Sequence, residues 1–463
     1  MRRSFAVLVA VAAAVLAGCG GEALEPAARA TGEAAPASAV AYVSVQADLD
    51  SGQWRQVEKL LARFPDGEGA LDRLRQPREG VDYERDVEPA LGPTVELVWL
   101  EEAKDREDVV LLTQAEDDDK LRELLRRDDE PYVMAEVGGW NAVARSQELL
   151  DAYRKALAAG RLADDPNYRA DTIELPEDAL ATLYVDAERA LAAAGASAPT
   201  PSGAGRVLGG AAALEATDEG FRVTSRGRTE GISPEETEVG ELLAEIPSGA
   251  FLALDFRAPS EQTRADPRLD EFDRYLGVPL SALAKALEGE VAFYARRGVL
   301  VPELTLLAAP SDAEAAVARL DEAVASSPLL GGVERRQTTI EGVEATMLDL
   351  GRFTVLYGAV DGRVVVTTLP AGIRALREEG DKLVDDDRYR DAVEAAGVED
   401  GENVVMYADL QEALRLLEGL SALGEGGVSP ETARDLAPLR SLVAASETTG
   451  DAATFKLFLE IDD

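Results

Sequence analysis

The feature that most restricts the fold of this chain is a segment that it contains twice. Residues 162–186 read LADDPNYRADTIELPEDALATLYVD, and residues 383–409 read LVDDDRYRDAVEAAGVEDGENVVMYAD. Both begin with L-x-D-D-x-x-Y-R and end with Y-x-D. The spacing between the copies is nearly constant, at 221 positions for the first leucine (162 to 383) and 223 for the last tyrosine (184 to 407). This repeat predicts an internal duplication, with two similar folding units in one chain.

The rest of the chain can be divided around this repeat. Its 463 residues are too many for one ordinary core, since domains usually contain ~100–200 residues. We therefore predict two units, residues 39–230 and 231–463. Strand-like runs joined by turn residues, Gly138-Gly139 in one case and Asp361-Gly362 in another, indicate hairpins. Hairpins favour an α+β fold in which each unit has a mainly antiparallel sheet with helices on one face, whereas a doubly wound parallel sheet is the alternative.

The first 18 residues are predicted to be an export signal. Two arginines precede an apolar run, and residues 16–19 read LAGC. The apolar run is too short to span a bilayer core of about 30 Å, which argues against a permanent transmembrane helix. The LAGC ending resembles the bacterial lipobox, and this resemblance implies a diacylglycerol anchor on Cys19 at the outer face of the bacterial cytoplasmic membrane. Residues 19–38 are rich in Ala, Gly, Glu and Pro and predict a flexible tether.

Charge and residue usage exclude several classes of function. The chain has 88 acidic and 47 basic residues, a formal net charge of −41. Such a charge repels the phosphates of nucleic acids, so we expect no nucleic-acid partner. The chain has no histidine and a single cysteine, which removes histidine-based triads, thiolate or histidine metal sites and internal disulfides. We therefore expect neither a cofactor nor an enzyme.

The aspartates and tyrosines of the repeated segment are the first candidate site residues. Asp165 precedes Pro166, and this order is typical of a helix N-cap whose carboxylate accepts backbone N–H bonds. We interpret the repeat residues as structural, with capping aspartates and tyrosines that pack in the core. They are Asp164, Asp165, Tyr168, Tyr184 and Asp186 in the first copy, and Asp385, Asp386, Tyr389, Tyr407 and Asp409 in the second.

Two runs of aspartates are candidate cation sites in so acidic a chain. Oxygen ligands suit calcium, but these runs lack the alternating ligands and the glycine of an EF-hand loop. Capping of the following helices is the competing interpretation. The residues are Asp117, Asp118 and Asp119 in the first run, and Asp385, Asp386 and Asp387 in the second.

The repeated pattern resembles a known family. P-x-x-A-x-A-Y-V from Pro36, L-A-D-D-P-x-Y-R from Leu162 and A-L-A-x-x-Y-V-D from Ala179, behind a signal and a lipobox, are similar to the exported actinobacterial lipoprotein family catalogued as domain of unknown function 3352. The resemblance covers nearly the whole mature chain, although the second copy has Asp387 in place of the proline. It implies an exported, membrane-attached protein and supplies neither an activity nor site residues.

Three functions are compatible with these observations. The first is a non-enzymatic scaffold or interaction module of the cell envelope, with a protein partner. The second is a carrier of a small molecule or lipid, and the third is a hydrolase that uses a carboxylate pair. A wide apolar cavity would favour the carrier, whereas a filled core with a contiguous exposed apolar patch would favour the scaffold.

Overall fold

The fold is described here from a computed structural model of the chain. It covers residues 32–65, 67–75, 81–101, 108–127, 131–193, 206–231, 239–258, 287–298, 301–326, 330, 332–351, 353–378, 380–399, 401–422 and 428–462. The predicted signal peptide, the lipid site at Cys19 and most of the predicted tether lie outside these residues.

The strands of the first half of the chain are short at the start and long at the end. They are β1 (Ala41–Gln46), β2 (Thr94–Trp99), β3 (Val110–Thr113), β4 (Val133–Val137), β5 (Trp140–Ala144), β6 (Ala181–Asp186), β7 (Arg206–Ala216) and β8 (Gly220–Glu230). The strands of the second half are β9 (Ala250–Arg257), β10 (Glu290–Arg296), β11 (Glu303–Ala309), β12 (Glu334–Ile340), β13 (Val343–Asp349), β14 (Thr354–Val360), β15 (Arg363–Thr367), β16 (Asn403–Asp409), β17 (Leu439–Thr449) and β18 (Ala452–Ile461).

Helices separate most of these strands. They are α1 (Gly52–Leu61), α2 (Glu68–Arg75), α3 (Glu88–Leu91), α4 (Asp118–Arg126), α5 (Gln147–Ala159), α6 (Pro166–Thr172), α7 (Ala187–Ala193), α8 (Ala313–Ser326), α9 (Pro370–Arg377), α10 (Asp387–Ala395), α11 (Leu410–Ala422) and α12 (Pro430–Leu436). A π-helical turn (Tyr83–Val87) precedes α3, and single 3₁₀ turns lie at Leu162–Asp164, Leu243–Glu245 and Leu383–Asp385.

The eighteen strands of the described residues belong to one antiparallel sheet. Its order is β4-β5-β3-β2-β1-β6-β7-β8-β18-β17-β16-β9-β10-β11-β15-β14-β13-β12. The mainly antiparallel sheet predicted from the hairpins is therefore confirmed. The two halves do not form separate sheets, because β8 pairs with β18 over nine residue pairs, from Gly220 opposite Glu460 to Arg228 opposite Ala452.

The prediction that helices cover one face of the sheet is wrong. Successive residues of a strand point to opposite faces, and in β5 both orientations are buried. Val143 packs in one cluster with Leu121 of α4, whereas its neighbour Ala142 packs in another with α5. In β15, Val364 packs with α8 and Val365 packs with α10. The sheet is therefore the central layer of a three-layer arrangement in these regions.

Residues 32–38, which the prediction assigned to the tether, pack against the first half of the sheet. Ala34 and Ala35 are only 4% and 0% exposed. The Tyr153 hydroxyl donates to the carbonyl oxygen of Ala34 at 2.7 Å, and the backbone N–H of Leu162 donates to that of Ala35 at 2.8 Å. Small residues suit a buried extended segment as well as a flexible one, so composition alone does not distinguish the two.

Two hairpin turns predicted from glycine pairs or Asp-Gly are confirmed. Gly138-Gly139 joins β4 to β5 and Asp361-Gly362 joins β14 to β15, each with φ positive at both positions. A third such turn, Glu341-Gly342, joins β12 to β13 and was not predicted. Among the described residues of the first half, no hairpin corresponds to the one that it forms, which extends the sheet beyond β14.

Candidate functional site

A groove of about 710 Å³ lies at the end of the sheet formed by the second half of the chain. Its walls are α8, the β12–β13 hairpin, the β14–β15 turn and the last residue of α9. This volume is in the range of ~300–1,000 Å³ that small-molecule sites occupy. We call this site the acidic groove, and it is lined by Glu314, Val317, Asp321, Gln337, Glu341, Gly342, Val343, Glu344, Thr346, Tyr357, Ala359, Val360, Asp361 and Arg377.

Turn geometry places acidic residues at the mouth of the acidic groove. Glu341 and Asp361 each occupy the first central position of a two-residue hairpin turn, with φ of 51° and 47°. These turns need positive φ at both central positions, and glycine follows in each case. The carboxylates of Glu341 and Asp361 are therefore held at the tips of adjacent hairpins. Residues within the strands would not occupy these positions.

The acidic groove has a strongly negative charge. Five carboxylates and one guanidinium line it, a formal net charge of −4 (1 − 5). Arg377 Nη1 lies 2.7 and 2.9 Å from the two carboxylate oxygens of Asp361, so the single cation is paired with one of the acids. The carboxylates that remain are Glu314, Asp321, Glu341 and Glu344.

A hydrogen-bonded tyrosine forms the floor of the acidic groove. The Tyr357 hydroxyl donates to Asp321 Oδ1 at 2.6 Å, and Tyr357 is 2% exposed. Burial, followed by the nearby Asp321 carboxylate, raises the pKa of Tyr357 well above its usual value. The hydroxyl therefore stays protonated and fixes one oxygen of Asp321.

The tyrosines of the repeated segment are core residues, as interpreted from the sequence. Tyr168 and Tyr184 are 4% and 1% exposed, and their ring centroids are 5.2 Å apart at an interplanar angle of 80°. Tyr389 and Tyr407 repeat this edge-to-face pair at 5.1 Å and 71°. Such pairs stabilise a core beyond the area that they bury.

Most aspartates of the repeated segment cap helices. Asp165 accepts two backbone N–H bonds from the first turn of α6, at 2.8 and 3.2 Å, and Asp386 accepts one from α10 at 3.0 Å. Asp186 and Asp409 accept from the first turns of α7 and α11 at 3.0 and 2.8 Å. The capping interpretation is therefore confirmed for these four residues.

The remaining aspartates of the repeated segment and of the two candidate cation sites are also engaged. Asp117 accepts two backbone N–H bonds at the start of α4. Asp119 and Asp387 bind arginines of their own helices. Of the others, Asp118 accepts from Asn141 Nδ2 at 2.9 Å, Asp164 binds Arg169 at 3.0 Å, and Asp385 accepts the backbone N–H of Lys382 at 3.2 Å. Within the described residues, no group of three or more acids or cysteines is arranged to hold a metal ion.

Several deeply buried carboxyl groups were missed in the sequence. Glu96 in β2, Asp255 in β9 and Glu290 in β10 are 1%, 2% and 6% exposed. The Tyr42 hydroxyl donates to Glu96 Oε1 at 2.7 Å, and burial raises the pKa of Glu96 to about 7. The only sequence signal for these three carboxyl groups is an acidic residue within an apolar run of a strand. Alternation of polar and apolar residues in a strand is instead typical of a sheet with one solvent-exposed face.

Comparisons with known proteins found no relative of this chain. No family model, no curated protein and no solved structure matches it. The resemblance to the actinobacterial lipoprotein family therefore stays a prediction. In the described part of the chain, no helix combines the length and the apolar content that a membrane crossing requires.

Proposed function

We propose that this protein is a lipid-anchored, extracytoplasmic binding protein of the bacterial cell envelope, without catalytic activity, that holds a small organic cation in the acidic groove. The observation that carries the proposal is the groove itself, a cavity of ligand size with a formal charge of −4. The anchor is inferred from the lipobox-like LAGC sequence that ends at Cys19. From the sequence, a carrier of a small molecule or lipid was expected to have an apolar cavity. The acidic groove has a polar lining, which favours a charged ligand instead.

The class of ligand follows from how the charges are distributed. The carboxylates come from a helix, two hairpin tips and a strand, so they surround the groove instead of meeting at one point. A compact metal ion needs several oxygens at 2.0–2.6 Å, which separated carboxylates do not supply. A flexible chain with several ammonium groups can reach each carboxylate in turn. An aliphatic polyamine is therefore the ligand class that we infer.

We also propose that the two halves of the chain are an internal duplication, with units close to residues 39–230 and 231–463. The order of strands supports this proposal. Counted outward from the β8–β18 pair, the first half runs β8-β7-β6-β1-β2-β3-β5-β4 and the second runs β18-β17-β16-β9-β10-β11-β15-β14. Each strand thus has a counterpart in the same position, and the β12–β13 hairpin beside the acidic groove is an addition to the second unit.

The first prediction concerns polyamine binding by the full-length chain. Spermidine is expected to bind with a 1:1 stoichiometry, and affinity should fall with added salt because exposed charges are screened. The double variant Glu341→Gln and Glu344→Gln removes two of the groove carboxylates. We expect its affinity at low salt to be about 5–10-fold lower, since each exposed ion pair contributes ~0.2–1 kcal/mol. Isothermal titration calorimetry measures both quantities.

The matched control removes the same two charges elsewhere. Glu136 on β4 and Glu219 in the β7–β8 turn are exposed residues of the other half, and their replacement by glutamine should leave the affinity unchanged. An equal loss in both double variants would mean that spermidine responds to the overall charge, and the groove assignment would be wrong. Absence of binding by the wild-type chain would overturn the ligand class.

A scaffold function is the second candidate, and one observation favours it. Strand β12 pairs only with β13 among the described strands, so one edge of the sheet has a row of backbone groups without a strand partner. An edge of seven residues can accept a strand from another protein. The charged side chains Glu334, Arg335 and Arg336 on this edge oppose unspecific pairing. A selective protein partner that competes with spermidine would support this candidate.

A further inference from the structure

The segment that leads from β8 into β9 is attached to the sheet by two buried carboxyl groups. The backbone N–H of Gly240 donates to both Glu290 Oε1, at 2.8 Å, and Asp255 Oδ2, at 3.1 Å. The N–H of Leu242 donates to Glu290 Oε1 at 2.9 Å, and that of Leu243 donates to Asp255 Oδ2 at 3.2 Å. Residues 239–246 are therefore connected to β9 and β10 through side chains, not through strand pairing.

The two carboxyl groups cannot both be ionised without a large cost. Asp255 and Glu290 are 2% and 6% exposed, and they converge on a single N–H. Their hydrogen bonds given above come from backbone N–H groups, and Asp255 Oδ1 is buried without a hydrogen-bond partner. Two adjacent carboxylates in a buried site repel each other and lose hydration, so such a pair retains one proton. A carboxyl that keeps its proton is neutral, so the repulsion within the pair is removed.

The attached segment closes part of the core. Leu242, Leu243 and Ile246 are 0%, 4% and 0% exposed, and they belong to the same cluster as Tyr389 and Ile373. This cluster holds the helices α9 and α10 against the second half of the sheet. Release of residues 239–246 would therefore expose three large apolar side chains and loosen the contact of both helices.

We infer that Asp255 and Glu290 form a proton-dependent latch. While the pair holds one proton, it accepts the four N–H bonds and keeps residues 239–246 closed over the core. When the pair loses that proton, the repulsion between the two carboxylates favours the open segment, in which both groups reach water. The latch is thus closed in acid and weakened in base, and it does not depend on what the acidic groove binds.

Charged groups on the surrounding elements do not take over the role of the proton that the Asp255–Glu290 pair holds. Arg363 of β15 is electrostatically coupled to Glu290, but its guanidinium binds Glu245 of the attached segment at 2.7 Å. Tyr389 of α10 is buried, and burial and the charge of Asp255 raise its pKa, so it stays neutral. On β9 the cross-strand neighbour of Glu290 is Arg257, which is exposed. Glu241, in the attached segment of residues 239–246, adds further negative charge.

The sign of the pH dependence follows from the two states. Burial raises the pKa of Asp255 to about 8 in the closed state, and hydrogen bonding to Glu290 adds to the increase. In the open state the group is hydrated and regains an ordinary pKa of about 4. Opening therefore releases a proton between about pH 4 and pH 8 and becomes up to ten-fold more favourable per pH unit in that range. Above about pH 8 the dependence levels off.

Hydrogen exchange of the full-length chain tests the latch. Protection factors of the amides of residues 242–246, corrected for the intrinsic exchange rate at each pH, are expected to fall by about 100-fold or more between pH 5 and pH 8. Asp255→Asn removes the carboxyl whose pKa is raised, and the slope should disappear. In Glu290→Gln the repulsion is lost but Asp255 stays buried, so the slope should become smaller.

Asp409→Asn is the control, because Asp409 caps α11 and binds Arg388 at 2.8 Å on the same half of the sheet without belonging to the pair. It should keep the slope of the wild-type chain. A flat pH profile in the wild-type chain overturns the proposal, whether or not the variants fold. A slope of wild-type size in Asp255→Asn overturns it as well.

Discussion

Replacement of Tyr407 by alanine is expected to lower the free energy of unfolding by about 3–5 kcal/mol, the cost of removing a large aromatic side chain from a packed core. Tyr407 is 2% exposed, and its ring packs edge to face on Tyr389. The alanine would leave a cavity between α10 and the sheet, and Tyr389 would lose its aromatic partner. The midpoint of urea unfolding, followed by circular dichroism, measures this loss.

The matched variant Tyr407→Phe separates packing from the hydroxyl group. It keeps the ring, so we expect a change of less than about 1.5 kcal/mol. Tyr184→Ala in the first half should cost as much as Tyr407→Ala, because Tyr184 and Tyr168 form the same pair. If both alanine variants were as stable as the wild-type chain, the repeated tyrosines would not be structural, and a ligand-binding role would have to be considered.

Local elements were largely predictable from the sequence because their signals act over a few residues. Asp165 before Pro166 predicted a helix N-cap, and the carboxylate does accept two N–H bonds there. Gly138-Gly139 predicted a two-residue hairpin, and both glycines have positive φ. In each case the backbone geometry is set by the residue type itself.

The joining of the two halves was not predictable in this way. The pair of Arg228 with Ala452 joins positions 224 residues apart (452 − 228), and no local pattern specifies such a partner. Two long strands with polar and apolar residues on alternating positions are equally consistent with two separate sheets. The single sheet arises because β8 and β18 would otherwise both be long edge strands, and pairing satisfies their backbone groups.

The acidic groove and the burial of both faces were missed for a related reason. The strand β12 reads ERRQTTI and has few apolar residues, so it did not stand out as a strand, yet it forms one wall of the groove. In β1 and β2, the polar residues Ser44, Thr94 and Glu96 lie beside apolar residues of the same strands, yet each is at least 96% buried. Polar residues in a strand indicate alternation, but they do not tell which side meets water.

The second prediction with a large effect concerns Glu96, which lies in the first half, far from the proposed latch in the chain. Its carboxyl accepts the Tyr42 hydroxyl at Oε1, and its Oε2 is buried without a hydrogen-bond partner. Burial raises the pKa of Glu96 to about 7, and the bond from Tyr42 offsets only part of that increase. The carboxyl is therefore protonated in the folded chain at a pH where the unfolded chain has lost that proton.

Because the pKa is higher in the folded state, the contribution of Glu96 to stability is complete below about pH 4.5 and is lost as the pH rises to about 7. The loss amounts to about 3 kcal/mol, at 1.36 kcal/mol per pH unit. Glu96→Gln has the same size, can still accept from Tyr42 and cannot ionise. We expect the variant to be about as stable as the wild-type chain at pH 4.5 and more stable by up to about 3 kcal/mol at pH 8.

Urea unfolding of both chains at pH 4.5, 6, 7 and 8 measures this difference. Asp255 titrates in an overlapping range, so the comparison must use the difference between variant and wild type and not the slope of either chain alone. Glu136→Gln, at an exposed position on β4, is the control and should give a difference near zero at every pH. A difference for Glu96→Gln that stays constant from pH 4.5 to 8 would show that this carboxyl is ionised in the folded chain. In that case Glu96 would have to be stabilised by a group other than Tyr42, because a buried carboxylate with one hydrogen bond cannot retain its charge at no cost.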